Sequence, residues 1–133
     1  MRYLIPWLIT AVALCACDTS PDASLSGRDL YANYCSACHG LVGEGDGPVA
    51  TVMQTNVPNL RSLSARDDDS FPRDAVTAYV DGRNLPVSHG DRQMPIWGNV
   101  FGWDETDDDA AAERNAQERI AAIVDFLSEI QYE

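Results

Sequence analysis

Cys35-Ser36-Ala37-Cys38-His39 constrains this chain more than any other stretch. Two thiols three residues apart share one face of a helix, and an imidazole follows at once, which is the C-x-x-C-H attachment pattern of a c-type haem. Both sulfurs can reach the vinyl groups along one porphyrin edge, and His39 can turn under the ring to ligate iron. A chain of 133 residues suits one domain with a modest core, and such a domain gains from a large flat apolar ligand at its centre. The competing reading is a redox or zinc-type Cys pair. A structural zinc site takes about four ligands, and the sequence offers only one further His, His89.

The start of the chain reads as an export signal. Met1-Arg2 is followed by an apolar run from Tyr3 to Leu14, which has the positive start and short hydrophobic segment of a secretory leader and is shorter than the ~20 residues of an ordinary spanning helix. Leu14-Cys15-Ala16-Cys17 resembles a bacterial lipoprotein signal, in which cleavage before Cys17 leaves that cysteine lipidated; an ordinary signal peptide or a retained anchor is the alternative. The expected organisation is a signal over residues 1–16, a tether over 17–25 and a folded domain over 26–133. Cys15 then leaves with the signal, Cys17 carries lipid, Cys35 and Cys38 carry haem, and no disulfide is expected. The expected location is the periplasmic side of a bacterial membrane.

The formal charge is −12, and all nine basic residues are arginine. Phosphate binding needs a basic face, so nucleic acid is not an expected partner. Redox proteins are, with a basic docking face as one reading and an acidic surface that merely confers solubility as the other.

Along the domain, Ser26 is placed to cap a helix over 27–38, with Tyr31, Tyr34, Cys35 and Cys38 along a common side. Gly43-Glu44-Gly45-Asp46-Gly47-Pro48 reads as a turn wrapping a haem edge, since no GK[ST] makes it a phosphate loop. Asp67-Asp68-Asp69 lacks the spaced ligands of a calcium loop and reads as a solvated face or helix lead-in. Pro72 and Gly82 bracket a second helix over 72–81. Residues 84–106 show no sustained periodicity and read as a long ordered loop. Ile120, Ile123, Val124, Leu127 and Ile130 form one apolar helical stripe, with Asp107, Asp108 and Asp109 near its positive end. The fold is expected to be mostly α.

The open position of a haem held by Cys35, Cys38 and His39 decides its chemistry. The candidates are Met94, Met53 and His89. Met94 lies in Gln93-Met94-Pro95-Ile96-Trp97-Gly98, where Pro95 stiffens the backbone beside the thioether, and it is the expected ligand. Met53 reads as an apolar packing residue, and His89 as a solvated or hydrogen-bonding one.

Cys35 to Gly40, Gly43 to Pro48 and His89 to Gly98, in that order, resemble a class I cytochrome c of the bacterial branch with an M-P-x-W-G distal loop, over about residues 26–132. The resemblance implies an all-α cytochrome c fold with crossing N- and C-terminal helices and one covalently bound haem c whose iron takes a proximal His39 and a distal Met94. It also implies Gly27 and Tyr31 packed against Ile123 and Phe126, and a proline carbonyl accepting from the proximal histidine, with Pro48 the first choice and Pro58 competing. Arg83 and Trp97 are candidate donors to the haem propionates, against a surface cation for Arg83 and a packing residue for Trp97. The chain lacks the lysine ring of the best-known members.

The expected function is one-electron transfer by a membrane-anchored carrier with no small-molecule substrate, between respiratory-chain or dehydrogenase and oxidase partners. An electron-transfer subunit fixed in a larger oxidoreductase complex is one alternative. A haem sensor or peroxidase with a displaceable distal ligand is the other.

Overall fold

A computed structural model describes residues 25–85, 92–103 and 108–132. The expected signal segment, Cys17, the tether up to residue 24, His89 and Asp107 lie outside the described residues. Among the described residues five α-helices follow in order: α1 Gly27–Tyr34, α2 Ser36–His39, α3 Arg73–Asp81, α4 Trp97–Trp103 and α5 Asp109–Glu129. Short 3-10 turns stand between α2 and α3, and no strand occurs among the described residues. The fold is all-α.

Ser26 caps α1 by accepting from the Asp29 amide at 3.2 Å, and Asp29 puts negative charge in the first turn, where the helix dipole favours it. The single helix expected over 27–38 is divided at Cys35. There the Ser36 hydroxyl donates to the Ala32 carbonyl four residues back at 2.6 Å, a bond that bends helices, and Cys35 widens to φ −112°. Helix α2 begins after this break and carries Cys38 and His39.

Helix α5 is the centre of the fold and packs against α1, α3 and α4. Asp108 caps it by accepting from the Ala110 amide. Ile120, Ile123, Val124 and Leu127 are buried, joined by Ala116 and Phe126, with Ile130 half-buried at the end of the stripe. Leu30 and Tyr31 from α1, Val80 from α3, and Trp97 and Phe101 from α4 complete the core. At the contact between the first and last helices the Tyr31 and Phe126 rings lie 5.1 Å apart at 49°.

Helix α3 matches the expected second helix, starting one residue after Pro72 and closing on Gly82. The loop expected over 84–106 is corrected by α4, a seven-residue helix within it. Gly98 and Gly102 lower the helix propensity of this stretch, and the burial of Trp97 and Phe101, four residues apart on one face, outweighs them. Asp67-Asp68-Asp69 forms an exposed turn in which Asp68 and Asp69 take φ of 50° and 58°. Among the described residues no helix is long and apolar enough to cross a membrane.

Candidate haem centre

The attachment residues sit on a short helix held from one side by its own following loop. The amides of Gly45, Gly47 and Val49 donate to the carbonyls of His39, Cys38 and Ala37 at 2.8, 3.1 and 2.9 Å, so the loop supplies the donors that a helix end lacks. Tyr31 in α1 donates its buried hydroxyl to the Gly40 carbonyl at 2.7 Å. The glycine-rich turn thus wraps the attachment helix.

Cys35 and Cys38 are both free thiols, half-buried. Burial, and then the neighbouring Cys38, push the Cys35 thiol up to about 12. His39 is half-buried, and its Nδ1 lies 3.3 Å from the Pro58 carbonyl oxygen. A carbonyl can only accept, so Nδ1 carries the proton and Nε2 keeps its lone pair for a metal. Burial lowers the imidazole below its ordinary value, opposed by the Pro58 bond, which favours the neutral ring that ligation requires.

The acceptor is therefore Pro58, and the first choice of Pro48 is corrected. The Pro48 carbonyl accepts from the Thr51 hydroxyl at 3.3 Å, because the chain turns into the 3-10 segment Ala50–Val52 directly after it. Pro58 reaches His39 on the return, where the Leu60 amide bonds the Gly43 carbonyl at 2.7 Å.

Met94 is half-buried and packs against the core. Two links join its segment to the attachment side. Tyr34, beside Cys35, sets its ring edge-on to Trp97, three residues beyond Met94, with centroids 5.6 Å apart. Thr55 Oγ1 donates to Gln93 Oε1 at 3.2 Å, so the stretch that gives Pro58 to His39 also touches the neighbour of Met94. Met53 is half-buried, extended at the end of the Ala50–Val52 turn.

Trp97 is buried, stacked on Phe101 at 5.3 Å, and Tyr34 meets Phe101 edge-on at 5.1 Å. Sequence periodicity did not reveal this cluster, because Tyr34 lies in another helix. Trp97 packs in the core beside Phe101.

Arg83 Nε donates to Asp81 Oδ1 at 2.8 Å, Nη1 to Glu113 Oε2, and Nη2 to both Asp81 Oδ2 and Glu113 Oε1. The guanidinium bonds two carboxylates, joining the end of α3 to α5 over Gly98 of α4. The Arg83 hydrogen bond holds Asp81 below the usual carboxylate range, and the same donor, with Gln117, lowers Glu113.

A carboxylate depressed in the folded state adds stability above its unfolded value, near 4, and loses it as pH falls through the folded value. The Asp81 side chain is only 20% exposed. Asp81→Asn is expected to lower stability by about 1 kcal/mol at pH 7, with the gap to the parent closing below about pH 4. Urea unfolding across that range measures it, and a gap constant with pH would show that the charge of Asp81 is not what stabilises.

These residues fit a covalently held haem. The two thiols are free of any disulfide, the imidazole presents a neutral Nε2, and a half-buried thioether lies three residues before Trp97, which meets Tyr34 at the end of α1. No group of three or more metal-ligating side chains occurs among the described residues to support a zinc-type reading. A family model described as cytochrome c oxidase, cbb3-type, subunit III matches residues 22–113, a span holding Cys35, Cys38, His39 and Met94. No curated protein and no solved structure matches the chain.

Proposed function

We propose that this chain, which belongs to the cbb3-type cytochrome c oxidase subunit III family and is a class I mono-haem c-type cytochrome, transfers single electrons through a haem ligated by His39 and Met94 while anchored by lipid on the periplasmic side of a bacterial membrane. The family implies covalently bound haem c, which supplies a one-electron ferric and ferrous couple. Cys35 and Cys38 hold it. The observation that supports the reading best is the His39 Nδ1 bond to the Pro58 carbonyl. It orients the ring and raises its basicity as a ligand, as such outer partners do. Tyr34, Trp97 and Phe101 pack on one another beside Cys35 as a rigid aromatic cluster, suited to support an apolar ring held there.

The choice of Met94 makes the site a carrier, because a thioether in the last position leaves none for substrate. It also raises the potential relative to a second imidazole. The anchor is supported by the leader and by Leu14-Cys15-Ala16-Cys17; diffusion then becomes two-dimensional. A charge of −12 with no lysine favours partners with a basic docking face.

Absorption and magnetic circular dichroism spectra of the purified ferric and ferrous protein test the reading. A low-spin His/Met signature is expected, and a high-spin ferric spectrum would sink it. The family description favours a second reading, an electron-transfer subunit held permanently in a larger complex. Leu41, Val52 and Trp103, at 77%, 79% and 85% exposure, are surface apolar groups such a partner can cover.

A further inference from the structure

One side chain joins the Met94 segment to α3, and electron transfer as described above makes no use of it. Arg92 lies two residues before Met94. Its Nε donates to the Met94 carbonyl at 2.9 Å, its Nη2 donates to the Tyr79 carbonyl, and its guanidinium carbon lies 5.2 Å from the centroid of the Tyr79 ring. The Tyr79 carbonyl belongs to the last turn of α3, whose carbonyls have no donor within the helix. The amide of Gly82 goes to Ala78, and that of Arg83, next in order, turns to the Asp81 side chain at 3.0 Å. Arg92, thirteen residues on, supplies the missing donor.

Gly82 makes room for this bridge. It closes α3 at φ +74°, and a β-carbon there would stand 2.8 Å from Arg92 Nη2. On the other side, Gln93 is held by Thr55, and Pro95 follows. The backbone carrying Met94 is thus tied to α3 through its own carbonyl and to the 55–58 stretch through its neighbour.

The geometry points to Arg92 as the positioning residue that keeps Met94 in register to ligate iron. This rests on Met94 being the distal ligand. A planar fork with separate donors at fixed spacing spans two carbonyls at once. A lysine ammonium offers a single point of charge and reproduces the bridge in part. Because Arg92 is exposed, the tether is of moderate strength and governs how readily Met94 leaves the iron more than whether the chain folds.

The test uses the full-length ferric holoprotein and imidazole as the probe, which must displace Met94 to bind. Arg92→Ala is expected to bind imidazole about five- to tenfold more tightly than the parent and to have a lower reduction potential, with the haem still covalently attached. Arg92→Lys should fall between the two. Arg73→Ala, which breaks the exposed α3 to α5 pair with Asp125, should bind imidazole as the parent does. Imidazole affinity of Arg92→Ala within about twofold of the parent, alongside tighter binding by Met94→Ala, overturns the role of Arg92 alone. Met94→Ala binding no more tightly than the parent overturns the ligand reading and the proposal with it. If Arg92→Ala gives no folded protein, Arg92→Lys decides: tighter binding supports the bridge, and parental affinity overturns it.

Discussion

Replacing Met94 with alanine is expected to turn the ferric haem from low spin to high spin while Cys35 and Cys38 keep it attached. Alanine offers no donor atom, so the thioether-to-iron absorption should vanish. The reduction potential should fall on the order of 0.1–0.3 V, a fraction of the ~0.8 V that axial ligands span. Met94 is half-buried against the core, so the truncation also destabilises, by about 2 kcal/mol, which leaves enough folded protein for spectroscopy. Absorption, magnetic circular dichroism and a spectroelectrochemical titration measure these effects together. Met94→Ala keeping the low-spin signature while Met53→Ala loses it would make Met53 the ligand.

Gly27→Ala should do the reverse, disturbing stability while leaving the ligand signature of the remaining folded protein unchanged. Gly27 lies where α1 meets α5, and a β-carbon there would collide with the Ala122 carbonyl oxygen and press on Phe126 Cβ at 3.1 Å. The obstacle is helix backbone, which cannot rotate aside as a side chain can. The helices must separate, weakening the contact of Tyr31 with Phe126 that closes the core. We expect a loss of about 3 kcal/mol, a fall in Tm of roughly 10–15 °C, read by far-UV circular dichroism and by urea unfolding. A loss under about 0.5 kcal/mol would mean that the helix contact tolerates the methyl group, and that α1 does not depend on close approach for its seat.

These two substitutions fall on positions that differ in how they were legible. Local context, Met94-Pro95-Ile96-Trp97-Gly98, sets Met94 apart from Met53 and His89, and the structure adds the neighbours of its segment: Thr55 on Gln93 and Tyr34 on Trp97. The family resemblance marks Gly27 by its spacing from Tyr31, and the reason a glycine is needed there lies in the Ala122 carbonyl packed against it. Helix α5 was readable because its apolar stripe repeats over three turns. Helix α4 was not, because seven residues with two glycines give too short and too weak a period, and its stability comes from tertiary burial of Trp97 and Phe101.

What the sequence by itself determined was the covalent and local chemistry. The spacing of Cys35, Cys38 and His39 acts over a single helical turn, the capping of α1 by Ser26 over three residues, and the closing of α3 by Gly82 over one. None of these depends on where distant chain passes. Tertiary structure alone decided which proline bonds His39, where Arg83 directs its guanidinium and what holds Met94 in place. Pro48 and Pro58 are alike as acceptors. The path of the chain through Ala50–Val52 and back to Gly43 turns one toward Thr51 and the other toward His39. Arg83 meets Glu113 thirty residues away because α5 crosses there, and Arg92 meets Tyr79 because α3 ends with a carbonyl still to be satisfied. A hydrogen bond is chosen by which partner arrives within about 3 Å, and arrival is a property of the packed helices.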